Sequence, residues 1–191
     1  MPVAVAVVIA GHPPDPTTAG DLGAATGRYI SIHVALLFLL PLLGVVVWKL
    51  LEGLEGFASS LARLALAFAL VFYAAFDALV GIAAGVLSRE TADLGGSAAP
   101  GAEMLVARWL EIPMPLSVVS AVGTVSWTVA LVAAAVAHRR AGSSWLVVVG
   151  LGLAGPLFGF GHPLVFGVVG MAGLLTAALA SELGRTDGVR V

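Results

Sequence analysis

Asp77 is the residue whose surroundings most demand explanation. It lies in the run Phe72-Tyr73-Ala74-Ala75-Phe76-Asp77-Ala78-Leu79-Val80-Gly81, with no other charged residue in that stretch. In a hydrocarbon environment an ionised carboxylate costs several kcal/mol unless it is partnered, so Asp77 must face protein or a wet cavity, or carry a proton. Tyr73, one helical turn earlier, and Gly81, one turn later, share its face. Such a residue serves as a proton carrier, a cation site or a counter-ion, or it fixes helix packing by an interhelical hydrogen bond.

Two histidines invite the same question. His33 has Tyr29 four residues before it on the same helical face, and Pro41 and Gly44 extend that face and suggest a kink with a freed carbonyl at Leu37. His162 sits in the Gly161-His162-Pro163 turn, where Pro163 suits the first turn of a helix and the positive end of the helix dipole disfavours protonation of the ring. Either ring is equally explained as an interfacial or turn residue bonded to a carbonyl. If His33, His162 and Asp77 converged, they would suit a divalent metal, or the two histidines a b-type haem, although no attachment or ligand-spacing motif accompanies them. With no cysteine, thiolate chemistry and disulfides are excluded. The Ser126 region lacks a nucleophile elbow, and no phosphate-binding loop is present, so no catalytic residue is assigned.

The elements that hold these residues follow from composition. A chain of 191 residues with 60% hydrophobic and 10% charged residues cannot cover a soluble globule with polar surface. A net charge of -2 gives no basic footprint for nucleic acid. The pattern predicts an all-α integral membrane bundle of about five transmembrane helices, over about 30–51, 61–87, 116–137, 144–159 and 163–181. Among the charged residues only Lys49, Arg63 and Asp77 fall inside these limits, the first two near ends where their heads can reach the interface. The fourth stretch is short and rich in Gly and Pro, so a re-entrant half-helix is its alternative. Three- and four-residue spacings of Gly81 and Gly85, Gly155 and Gly159, and Gly167, Gly170 and Gly173 predict close helix packing.

Around the spans, residues 1–29 read as an N-terminal arm, irregular from Gly11 to Gly27, whose first apolar stretch is too short to cross a bilayer. Residues 88–115 form an outer loop whose segment 103–111, with Trp109, has the pattern of a short interfacial amphipathic helix, and 182–191 form a tail. Trp48 and Trp145 belong at headgroup level. Lys49, Arg63, Arg139, Arg140, Arg185 and Arg190 fall on one side, and Arg28, Arg89 and Arg108 on the other. The positive-inside rule then puts the N-terminus outside and the C-terminus in the cytoplasm of a cell membrane, with His138 among the cytoplasmic basic residues. In that orientation His33, His162, His12 and Asp15 share the outer side, with Asp77 deeper, so a common outward pocket is allowed.

Three functions fit. The first is permeation of a small ion, a proton or a small molecule through Asp77, Tyr73 and His33. The second is a structural or regulatory subunit, and the third a haem- or metal-binding redox bundle. The expected partners are the lipid bilayer and either further copies of the chain or another membrane subunit.

Overall fold

The computed structural model describes residues 1–13, 25–92, 94, 100–101, 104–105, 108, 115–159 and 164–188. Most of 103–111, including Trp109, lies outside them, as do Asp15 and the 160–163 turn with His162. Among the described residues the elements are α1 (Pro2–Ala10), α2 (Thr26–Leu50), α3 (Phe57–Phe76), a π-helical segment (Asp77–Ala83), α4 (Ala84–Ala92), α5 (Pro115–Arg140), α6 (Trp145–Gly159) and α7 (Leu164–Gly188). No strand occurs among them.

Each long helix shows why it forms in lipid. On α2 the buried positions Ile32, Leu36, Leu40, Leu43, Val47 and Leu50 recur at three- and four-residue intervals, the stripe that faces neighbouring helices. Val34, Phe38, Leu42, Val45 and Trp48 are also apolar yet exposed. Water would penalise that second face, whereas hydrocarbon does not. Four helical stretches are long and apolar enough to cross a membrane: Thr26–Leu50, Phe57–Thr91, Val118–Arg140 and Val165–Gly184. Trp145–Phe158 is a shorter apolar helix. The chain is an all-α, multi-pass membrane bundle.

The turn after α2, the α5–α6 turn and the end of α7 lie together, because Glu52, Leu54, Ser143, Ser144, Ser181 and Gly184 line one cavity of about 420 Å³. Helix α6 therefore leads away from this end and α7 returns to it. Helices α6 and α7 approach to backbone contact. A Cβ on Gly150 would lie 2.5 Å from the Gly173 carbonyl oxygen, and one on Gly170 would lie 2.9 Å from the Phe158 nitrogen. Gly170 and Gly173 act as the sequence pattern predicts, and Gly150 joins them. Helix α2 continues through Pro41, and Gly44 receives the Leu70 side chain.

Two features depart from the sequence reading. Pro2–Ala10 is a helix packed against α2 and α7, with Val5 fully buried, so part of the arm belongs to the bundle. The second span is one continuous helical run from Phe57 to Thr91, interrupted in pattern by the π segment that begins at Asp77. At 35 residues it is ~50 Å long, more than the ~30 Å hydrocarbon core requires.

Candidate functional site

The π segment places the site. Before it, α3 packs chiefly on α5; from Asp77 onward the helix packs on α2. Each residue advances an α-helix by ~100°, so one extra residue in a turn re-aims the following face by about that angle. Tyr73, on α3 before the segment, faces α5 and α6, where it shares a hydrogen bond with Thr124 and meets Phe158 edge-on at 5.9 Å between ring centroids. Asp77, one turn later at the start of the segment, reaches α2.

There it meets His33. The His33 Nδ1 lies 2.8 Å from Asp77 Oδ1, and the two residues are 1% and 3% exposed. They meet as a packed pair rather than as walls of an open cleft. Gly81 makes this contact sterically feasible, since a Cβ there would lie 2.0 Å from His33 Cγ. Its hydrogen is the floor on which the imidazole rests. Gly85 does the same for Ile30 and Tyr29, at 2.6 Å from Ile30 Cγ1.

On its other edge His33 Nε2 lies 3.1 Å from His12 Nε2, and His12 Nδ1 donates to the Pro13 carbonyl. Tyr29 completes an edge-to-face cluster, 4.5 Å from the His33 ring and 5.4 Å from that of His12. The Tyr29 hydroxyl donates to the Val80 carbonyl, 3.2 Å away and inside the π segment. A carbonyl in a segment that leaves the α pattern is a natural acceptor for such a donor. The second carboxylate oxygen, Asp77 Oδ2, is buried and has no hydrogen-bond partner among the described residues.

The hydrogen bonds fix a proton inventory. Three contacts run in line: His12 Nδ1 to the Pro13 oxygen, His12 Nε2 with His33 Nε2, and His33 Nδ1 with Asp77 Oδ1. Each needs one proton, and a carbonyl can only accept. Two neutral imidazoles and a carboxylate supply two protons, so the complete chain holds a third and the trio is neutral overall. That proton can sit on Asp77, on His33 as an imidazolium beside a carboxylate, or on His12. Shifting it between them changes which atom donates in the His12–His33 and His33–Asp77 contacts, while His12 Nδ1 donates to the Pro13 carbonyl throughout, and all three bonds are kept. Such a chain can pass a proton along its length.

Tyr29, His33 and Asp77, all named from sequence, thus come together, while Tyr73 belongs to the neighbouring interface. His12, placed from sequence on the same side but not among the candidate site residues, joins them, although no periodicity across the intervening proline-rich stretch links it to His33. Gly81 reads from sequence as a packing residue, and its service to the His33 ring is visible only in three dimensions. His138, expected among the cytoplasmic basic residues, is buried, with its Nδ1 2.9 Å from the Ser143 hydroxyl. Trp48 and Trp145 are exposed near helix ends and lie under the Arg63 and Arg139 guanidinium groups at 5.6 and 4.7 Å.

A metal or haem does not fit the described residues as they stand. Both His33 nitrogens already have protein partners, leaving none for iron, and no group of three or more His, Asp or Glu residues among the described residues is arranged to hold a metal. His162, the third candidate ligand, lies outside those residues. Compared with known proteins, the chain matches no family model, and no curated relative or solved structure matches it.

Proposed function

We propose that this membrane protein moves protons, alone or coupled to a small solute, and that His12, His33 and Asp77 are the proton-carrying element. The observation that carries this reading is the hydrogen-bonded line from partly buried His12 through His33 to buried Asp77. The lysine and arginine distribution supports an orientation with the His12 end outside, in which protons would enter at His12 and reach the acid at depth. From Asp77 the unpaired Oδ2 is the position from which a proton leaves the line.

A second reading is favoured by the burial of His33 and Asp77: the pair only pins α2 to the π segment in a structural or regulatory subunit. One experiment separates the two. Purified protein is reconstituted into vesicles that enclose a pH-sensitive dye, and a potassium diffusion potential drives proton entry. Asparagine keeps the shape and a hydrogen bond to His33 but holds no exchangeable acid proton. Proton permeation supports flux well above empty vesicles and its loss in Asp77→Asn. Wild-type flux no greater than that of empty vesicles, or full flux in a folded Asp77→Asn, overturns the proposal in favour of the structural reading.

A further inference from the structure

At the end of the bundle away from His33, α5 carries two apolar grooves on either side of one ridge. The first, about 390 Å³, lies between α5 and the start of α3, with Phe57, Leu61, Thr128 and Val129 in its walls and Arg140 at its end. The second, about 360 Å³, lies between α5 and α6, with Val148, Val149 and Gly152 in its walls and Arg139 at its end. Val132 and Val136 line both, so these two side chains form the ridge. No acidic residue lines either groove.

We infer that this face is a binding site for one anionic diacyl phospholipid, whose chains lie in the two grooves across the Val132–Val136 ridge and whose phosphate is held by Arg139 and Arg140. Four observations converge on that occupant. The grooves are paired and parallel to the same helix, as two acyl chains are. Their walls are hydrocarbon apart from Thr128 and the terminal arginines. The first groove follows α5 from Thr128 to Arg140, ~18 Å at 1.5 Å per residue, close to the half-thickness of a ~30 Å hydrocarbon core. Finally, the two arginines are adjacent in sequence, both exposed, and neither makes an ion pair among the described residues.

Charge supplies the selectivity. Guanidinium forks bind phosphate oxygens through paired, charge-assisted hydrogen bonds. Arg139 is additionally steadied over the exposed Trp145 ring, an amphipathic side chain suited to headgroup level. A zwitterionic lipid offers the same chains and phosphate, but its own cation competes with the arginines. The site should therefore discriminate by headgroup, and the two grooves by chain number.

Full-length protein in mild detergent is incubated with chain-matched phosphatidylglycerol, phosphatidylcholine and lyso-phosphatidylglycerol, and retained lipid is measured by native mass spectrometry. Retention of phosphatidylglycerol over either competitor by roughly tenfold is expected. The double variant Arg139→Gln/Arg140→Gln should bring the headgroup preference close to one. Gly152→Leu, whose added side chain points into open space, should lower retention of both diacyl lipids by filling the second groove. Equal retention of the two headgroups by wild type, an unchanged preference in the double variant, equal retention of the lyso lipid, or unaltered binding by Gly152→Leu would each overturn the proposal.

Discussion

The two ends of the bundle spend their few polar residues in opposite ways. At the His33 end an acid, two imidazoles and a phenol, buried except for the partly buried His12, bond to one another or to backbone carbonyls except at Asp77 Oδ2. At the Arg140 end Lys49, Arg139 and Arg140 stay exposed, with only hydrocarbon walls and aromatic rings behind the two arginines. Burying charge is costly unless it is neutralised by a partner or a proton, and the inward acid is held against an imidazole. Lys49 is paired with Glu52, whereas Arg139 and Arg140 make no ion pair among the described residues and can meet ligands from the membrane. Glycine marks the same contrast: Gly81 admits the His33 ring, whereas Gly150 and Gly173 admit backbone and alanine methyls.

The sharpest way to break this comparison is Gly81→Ala. The new methyl occupies the place of the His33 ring, so a loss of up to about 3 kcal/mol in unfolding free energy is expected, together with loss of proton flux. A variant with wild-type melting temperature and flux would mean the ring does not rest on Gly81. Next in size is a coupling. In His33→Ala/Gly81→Ala the truncated ring makes room for the methyl, so the pair should fall short of the summed single losses by about 1 kcal/mol or more. His33→Ala combined with Gly150→Ala should instead be additive to within about 0.5 kcal/mol, because those sites share no partner. Equal non-additivity in both pairs would erase the distinction between the two kinds of glycine. The smallest effect belongs to Tyr29→Phe, which removes one hydroxyl-to-carbonyl bond and should cost about 1 kcal/mol while leaving flux intact. Abolished flux in that variant would make Tyr29 part of the proton route.

Several elements of this arrangement are legible in the one-dimensional chain. The apolar lengths give the spans, and the isolation of Asp77 among apolar residues marks it as a group that needs a partner. Tyr29 and His33, four apart, are recognisable as one face. Their convergence with Asp77 is not legible, because hydrophobic periodicity says which face a helix buries but not which helix receives it. The π segment is hidden for a related reason. Its register change comes from the balance between one ladder of backbone bonds and another, decided by packing against α2 and α5, and no residue type in Asp77–Ala83 encodes it.

By itself, then, the sequence determined that this protein lives in a membrane, how long its helices are, and which few side chains are too polar to face lipid, because transfer from water to hydrocarbon depends on residue type alone. The tertiary structure decided which of those side chains hydrogen-bond one another. It turned Tyr73 away from His33, brought His12 onto it, seated the ring on Gly81, and left Arg139 and Arg140 on opposite sides of a valine ridge. Hydrogen bonds form only over about 3 Å, and contacts that short between distant segments are set by helix packing rather than by spacing along the chain.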